Sequence, residues 1–457
     1  MIISVIGSGG KTTKIKQLKD QYLKEGKSVL MTTSTHMKIE EKTLVDPSYE
    51  EIINEIKKHG YVHAGGKAKN QKIKALDDDL LKRLKKEIDV ILIEADGSHG
   101  LPLKYPPVVD KDSNEIILIT SLKGLGKPVQ DVVHGYQEMK IDGNQKVDSL
   151  FIQQLINIYL KKINKYYVPV KIQVNEASSL YEKALASLLE NQKEVTLINE
   201  EWFLPQPKLV ILGAGHVSQY VSKLASMLDF YTIVIDERKE FACKELFPEA
   251  NEIHCVSFDK ADSYFPKEAN TCYVIVTRGH KDDRLCLKKT LFLQSLYVGM
   301  IGSKKKVRQT YDALLEEGYQ QVELDKVHAP IGLSIKAITP AEIAVSIMSE
   351  IIAIKNEHQY SSITNDLLEV QGDGVLCIII DKKGSTPRTV GSMMFINEKG
   401  IIGSIGGGRE EYQAILDAKN CHEVMMKHYE LNNSESANLG MICGGSNDVL
   451  FLPIKQH

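Results

Sequence analysis

The chain has 457 residues, 43% of them hydrophobic, which is too long for one ordinary core, so two to four domains are expected and three fit the pattern. A formal charge of −3 and a pI of about 6.5 exclude the global basic field that would bind nucleic acid or an anionic membrane surface. Met1 leads directly into an apolar strand and glycines, with neither a leader peptide nor an apolar run of membrane-spanning length, so a cytoplasmic chain without a membrane partner is expected. Seven cysteines are scattered without CxxC spacing, which argues against a disulfide framework or a zinc knuckle.

Residues 1–203 alternate strand and helix, the pattern of a mostly parallel α/β sheet. IISVI reads as a strand, and a Lys-rich helix follows it. Further strands are expected at SVLMTT, DVILIEAD and EIILITS, and helices at LDDDLLKRLKKE, 149–163 and 179–191. Gly7, Gly9, Gly10, Lys11, Thr12 and Thr13 sit between the first strand and its helix. Glycines there let backbone N–H groups wrap a phosphate, while the lysine reaches its outer oxygens and Thr12 can hold Mg²⁺. The spacing is a shortened variant of GxxxxGK[ST], because Val5 stands where the first glycine would be. Glu94 and Asp96 end an apolar strand, as a magnesium-positioning strand should, so ATP or GTP with Mg²⁺ is the expected ligand. Thr32, Thr33, Thr35 and His36 end the second strand on the ligand side, where helix capping by threonine is an equally good account. The lysines between Lys67 and Lys74, like Lys304, Lys305 and Lys306 later, read as solvated faces, with phosphate contact as the minority reading. Trp202, Pro205 and Pro207 mark an expected linker.

GSGGKTT is similar to the phosphate loops of Mur-type ligases. Together with TTSTH, HAGGK (63–67), EADGSHGLPLK (94–104) and Val133–His134, it resembles the YqeC family, which is linked to selenium-dependent molybdenum hydroxylases. The likeness covers roughly the first 140 residues and implies little chemistry, so nucleotide binding rests on the loop alone.

Residues 208–356 alternate again and predict a Rossmann-type, doubly wound domain. Gly213 and Gly215 follow strand KLVIL, Ser218 stands for the third glycine of GxGxxG, and Asp236 ends the next strand at the place of a ribose ligand. NAD(P) or another adenine nucleotide is therefore a candidate ligand, with Glu237 and Arg238 leaving the cofactor type open. His216 and His280 lie at carboxyl ends of strands, beside Arg278, Asp282 and Asp283, where such a sheet binds its ligand; a hydrogen-bonded structural histidine is the bland alternative. In TPAEIAVSI, Thr339, Pro340 and Glu342 predict a capped helix start. GAGHVS, DERKEF, VTRGHKDD, YVGMIGSKKK, HAPIGL and TPAEIAVSI together resemble the Rossmann domain of the XdhC/CoxI family, maturation factors for molybdenum hydroxylases.

Residues 366–457 predict a small β-rich α+β domain. KKGSTPRTVGSMMFI, GIIGSIGGGREE and LGMICGGSNDVLF resemble the small domain of the same family, which ordinarily precedes the Rossmann domain and here follows it. Arg388 follows a turn of Gly384 and Pro387, and Gly406, Gly407 and Gly408 form a loop that could close on a pyrophosphate or pterin, or simply turn the chain. Arg409 stands where many relatives carry a cysteine. Cys443 precedes Gly444 and Gly445, whose N–H groups could stabilise a thiolate suited to molybdenum–sulfur or selenium chemistry; a buried inert thiol is the alternative.

The resemblance implies an accessory factor that holds a molybdopterin-type molybdenum cofactor and assists its sulfuration or selenation. The expected partners are a molybdenum hydroxylase apoenzyme and a sulfur or selenium donor protein, and a homodimer is left open. Cys443 and His280 are the candidate reactive residues. Competing readings are an NAD(P)-dependent oxidoreductase built on Gly213, Gly215, Asp236 and His280, an NTPase or ligase built on Lys11 and Asp96, and a docking scaffold.

Overall fold

The computed structural model describes residues 1–69, 71–95, 100–106, 113–357, 363, 365–384, 386, 388–430 and 445–455. The fold is α/β, with an antiparallel, β-rich carboxyl-terminal sheet. No helix among the described residues is long and apolar enough to cross a membrane.

The first region contains strands β1 (Ile2–Gly7), β2 (Val29–Thr33), β3 (His36–Lys38), β4 (Thr43–Val45), β5 (Tyr61–Lys67), β6 (Lys72–Lys74), β7 (Val90–Glu94), β8 (Leu103–Lys104), β9 (Glu115–Ser121), β10 (Val133–His134) and β11 (Val170–Asn175). Nine of them form one sheet in the order β11-β9-β1-β7-β2-β5-β6-β3, with β4 beside β5; β8 and β10 pair separately. From β11 to β5 the pairing is parallel, whereas β5-β6 and β6-β3 are antiparallel. β1 and β2 are buried along their whole length because helices cover both faces of the parallel part. The edge where β1, β7 and β2 end is therefore the one left for a ligand.

The central region has β12 (Lys208–Leu212), β13 (Tyr231–Asp236), β14 (Glu252–Cys255), β15 (Thr271–Ile275) and β16 (Tyr297–Met300), all parallel in the order β14-β13-β12-β15-β16. Alternate residues feed opposite cores: Leu209 and Ile211 join one, Val210 and Leu212 the other. The helix Pro340–Glu357 begins with the predicted box, the Thr339 hydroxyl accepting from the Glu342 amide at 3.3 Å and Glu342 accepting from the Thr339 amide at 2.9 Å.

The last region has β17 (Gly374–Lys383), β18 (Met393–Asn397), β19 (Gly400–Gly403), β20 (Met425–Glu430) and β21 (Ser446–Ile454), antiparallel in the order β19-β18-β17-β21-β20. One face, with Val375, Cys377 and Ile379, packs on Ala414 and Ala418 of the helix Gly408–Lys419. The other, with Leu376, Ile378, Leu450 and Leu452, is continuous with the core of the first region through Leu185, Leu188 and Trp202. The segment expected as a linker is thus partly core. Trp202 is 8% exposed and lies against Gly391, whose φ of +85° and lack of Cβ give the indole its space. A large apolar ring gains more from that cover than from solvent.

Candidate functional site

The phosphate loop is built on glycine geometry. Gly7, Gly9 and Gly10 have φ values of +85°, +83° and +127°, and a Cβ on Gly7 would lie 2.1 Å from the Ile119 carbonyl oxygen. Gly10 lies so close to Asn175 that a Cβ would come within 2.5 Å of Nδ2, the same amide nitrogen that donates to the Gly9 carbonyl at 2.7 Å. The loop is held by its neighbours before any ligand arrives, as an anion cradle must be.

Lys11, 6% exposed, starts the helix Lys11–Lys24 and donates from Nζ to the Gly7 carbonyl at 2.7 Å, spanning the loop. The Thr12 hydroxyl donates to Glu94 Oε2 at 2.8 Å. β1 and β7 are adjacent, with Val5 opposite Glu94, so the fold brings a threonine and a carboxylate to one point. That pair fits a magnesium position: an oxygen-only donor set that leaves room for water and phosphate oxygens. Asp96 lies outside the described residues.

The TTST run caps no helix. The Thr33 hydroxyl donates to the Glu94 carbonyl at 2.7 Å, and His36 opens β3, because the chain turns into a strand that pairs with β6. A cavity of about 1350 Å³ opens in front of the loop, walled by Gly9 to Thr13 and Glu94 on one side. Lys38, Lys69, Lys72 and Lys74 line it as well, so the last three, expected on a solvated face or at a phosphate, stand beside the cavity. The composition of that run is the same either way; only the antiparallel turn of β6 and β3 over the sheet edge makes it a wall.

In the central region Gly213, with φ +108°, would place a Cβ 2.5 Å from the Val276 carbonyl oxygen. Ser218 is fully buried, and its hydroxyl donates to the Gly213 carbonyl at 2.5 Å, so serine is accommodated at the third glycine position. Gly215 precedes the helix His216–Met227, with open space where its Cβ would be. Asp236 is 1% exposed and its carboxylate is already engaged. It accepts from the Ala214 amide at 2.7 Å and from Arg238 Nε and Nη2 at 2.9 and 2.8 Å. Burial pushes this carboxyl up, but the Arg238 and amide contacts prevail and hold it below the ordinary value. His216, Arg278 and His280 are exposed at the ends of the adjacent strands β12 and β15, and no hydrogen bond or ion pair ties their side chains among the described residues.

Sequence reasoning missed what joins the central motifs. Fully buried Asp283 accepts from the Thr277 hydroxyl at 2.6 Å and forms an ion pair with Lys306, so one of the three lysines expected on a solvated face anchors one helix to another. Glu350 accepts from the Tyr297 hydroxyl at 2.5 Å and the Gly332 amide at 2.9 Å, and lies 3.4 Å from His328, so HAPIGL is fastened to the helix Pro340–Glu357.

In the small sheet, the glycine loop is held by a carboxylate of the chain itself. Glu411 accepts from the Ser404 hydroxyl and the Ile405 and Gly407 amides at 2.6, 3.0 and 3.1 Å. Burial would raise the Glu411 carboxyl, yet these donors keep it below its usual value. Those amides do not fit a cradle for a pterin phosphate, since they are already engaged. Gly407 and Gly408 sit at the start of the helix Gly408–Lys419, and Arg388 is exposed. Glu410, 5% exposed, accepts from Asn447 Nδ2 at 2.7 Å, and burial pushes its carboxyl up. Cys443 and Gly444 lie outside the described residues, whereas Gly445 is buried just before β21. Cys272, Cys286, Cys377 and Cys421 are buried; burial raises the Cys272 thiol to about 12, which leaves it an inert core group.

Three family models match the chain: the YqeC protein over residues 3–137, the XdhC Rossmann domain over 209–351, and the XdhC and CoxI family over 367–429. Among curated relatives, the uncharacterized protein YqeB of Escherichia coli is 34% identical over 152 residues, covering 33% of this chain and 28% of that protein. A probable xanthine dehydrogenase subunit from Bacillus subtilis is 30% identical over 149 residues, 32% of this chain and 43% of its own. The uncharacterized protein YqeC of Escherichia coli is 32% identical over 149 residues, 30% of this chain and 58% of its own. The chain therefore spans between 28% and 58% of the length of these relatives. A solved xanthine dehydrogenase from Bacillus halodurans is 31% identical, covers 34% of this chain and 44% of its own, and superposes with a TM-score of 0.31.

Proposed function

From a chain that joins a YqeC-type segment, an XdhC Rossmann domain and an XdhC/CoxI-type segment in that order, we infer an accessory factor in the maturation of a molybdenum hydroxylase. Three functional units are proposed, 1–203, 208–356 and 366–457. The first binds ATP or GTP with Mg²⁺ at Gly7 to Thr13, Thr12 and Glu94 holding the ion and Lys11 turning from its own loop to the phosphates. The other two handle a molybdopterin-type cofactor on its way to the hydroxylase apoenzyme, with sulfur or selenium supplied by a donor protein. The bound cofactor would supply the redox centre of the target enzyme.

The observation that carries the nucleotide half is the junction of Lys11, Thr12 and Glu94 in front of a preformed glycine loop. What supports the maturation half is the pair of XdhC-type segments and the relatives' names. Two experiments test the halves separately. Calorimetry with Mg-ATP and Mg-GTP should give binding that weakens at least tenfold in Lys11→Ala; equal affinity in both proteins would remove the first half. Released molybdopterin should co-elute with the wild-type protein on gel filtration and fail to do so with Cys443→Ala; no retention by either would leave the second half without support.

An adenine dinucleotide at Gly213 and Gly215 is a second reading, favoured by the open approach at Gly215. It requires Arg238 to release Asp236 to a ribose, and calorimetry with NAD and NADP decides it.

A further inference from the structure

The cavity before the phosphate loop is larger and more cationic than a magnesium nucleotide requires. Small-molecule pockets run to roughly 300–1,000 Å³, and this one is about 1350 Å³. A phosphate loop uses one lysine. Here Lys11 is joined along the described lining by Lys16, Lys38, Lys69, Lys72, Lys74 and Lys104, against Glu40 and Glu94. Glu40 is paired with Lys16 at 2.6 Å and Glu94 accepts from the Thr12 hydroxyl, and Lys38, Lys69, Lys72 and Lys74 line the same space.

The positions of these cations are built rather than incidental. Gly65 and Gly66 of β5 would place Cβ atoms 2.6 and 2.9 Å from the carbonyl oxygens of Lys74 and Ala75, so only glycine lets β6 fold this closely over β5. That approach brings Lys72 and Lys74 to the cavity, and β3 pairs with β6 to add Lys38. On the far wall, Lys104 ends β8 and His134 ends β10, paired residue to residue as neighbours in the two-stranded sheet. Lys104 is 8% exposed, and the Tyr105 amide donates to the His134 carbonyl at 2.8 Å. Ser8 of the phosphate loop donates from its hydroxyl to the Pro102 carbonyl at 2.8 Å, which fixes this wall to the loop itself. Gly135, with φ +77°, would place a Cβ 1.9 Å from the Tyr105 carbonyl oxygen, so the turn after His134 is equally constrained.

We propose that this cavity holds two anionic substrates at once: a nucleotide on the glycine loop, and a second substrate bearing a phosphate or equivalent oxyanion, seated on Lys104 and His134 and closed over by Lys38, Lys72 and Lys74. The first of the two rests on the nucleotide reading given above; the second does not. Lysine and histidine donors, point charges without a planar fork, suit a tetrahedral oxyanion approached from several sides. The same chemistry is offered by a free oxyanion and by a phosphate ester on a larger molecule, and the size of the cavity accommodates either.

The protein saturated with AMP-PNP and Mg²⁺ is titrated with inorganic phosphate and, separately, with FMN, a ring system carrying a phosphate monoester. One further anion is expected per chain. Lys104→Gln should weaken its binding at least tenfold, with AMP-PNP affinity changed less than twofold. Because Lys104 is buried, Lys72→Ala/Lys74→Ala on the outer strand serves as the variant that spares the core, with an expected loss of at least threefold. Tighter binding of FMN than of phosphate identifies an ester substrate, and equal binding a free oxyanion. Absence of either anion from the AMP-PNP complex, or wild-type affinity in both variants, overturns the proposal. If AMP-PNP itself does not bind, the nucleotide reading fails alone: phosphate uptake by the free protein that is lost in Lys104→Gln and kept in Lys11→Ala upholds the second site, and the reverse pattern removes it.

Discussion

His63 is a buried histidine with one satisfied nitrogen. Its ring is 3% exposed, Nδ1 lies 2.8 Å from the Thr43 hydroxyl, and Nε2 has no partner among the described residues. Burial lowers its pKa, with Glu40 opposing and Lys16 reinforcing the shift. The folded state therefore keeps the ring neutral at a pH where the unfolded chain already protonates it. The resulting stability is fully present above the ordinary histidine value of about 6.5 and declines as pH falls from there toward the lower folded value. Urea midpoints followed through this window should fall more steeply for wild type than for His63→Asn, and parallel slopes would show that His63 is not the group responsible. At the same scale, Gly7→Ala would drive a Cβ into the Ile119 carbonyl at positive φ. A loss of about 3 kcal/mol in unfolding free energy is expected, together with loss of nucleotide binding; a variant as stable as wild type would mean the loop relaxes.

Between elements, the buried Asp283–Lys306 pair ties the helix His280–Thr290 to the helix Lys304–Glu316. Removing the lysine alone leaves a carboxylate with no exposure to water, so Lys306→Ala should cost about 3 kcal/mol in denaturant unfolding. Asp283→Asn combined with Lys306→Met removes both charges and should recover much of that loss. If the double variant is no better than the single, the ion pair is not what the helices depend on. The glycine loop before the helix Gly408–Lys419 follows a similar logic, since Glu411 gathers the amides that a ligand would otherwise use. Glu411→Ala should loosen this loop, with faster amide exchange at Ile405 and Gly407; unchanged protection there would assign the ordering to the glycines themselves.

Across the whole molecule, the first and last regions share one apolar core although the central region separates them in sequence. Trp202 lies at that junction, and polar ties accompany it: Lys183 Nζ donates to the Val370 carbonyl at 3.1 Å and the Val424 amide to Asn191 at 3.3 Å. Trp202→Ala opens a large cavity there and should cost about 3 kcal/mol. Limited proteolysis should then cut between the regions before the central sheet is attacked. Simultaneous loss of all three regions would show that the chain unfolds as one unit.

The sequence by itself determined what depends on local pattern. Runs such as IISVI and KLVIL fix parallel strands, glycine spacing fixes Gly7 to Gly10 and Gly213 as tight turns, and Thr339 with Glu342 fixes a helix start, because each is governed by residues a few positions apart. Lys11 and Glu94 were legible as candidates for the same reason, each lying beside a recognisable strand end. The tertiary structure alone decided which distant residues meet. Thr12 reaches Glu94 because β1 and β7 are neighbours, and Asp236 is engaged by Arg238 rather than left open. The lysines of β6 become a cavity wall because an antiparallel turn folds them back, and Trp202 becomes core because the last sheet returns to the first region. A polar or aromatic residue carries no mark in sequence of whether water or another strand will cover it. That is settled by long-range packing, where the burial free energy of the assembled layers outweighs local propensity.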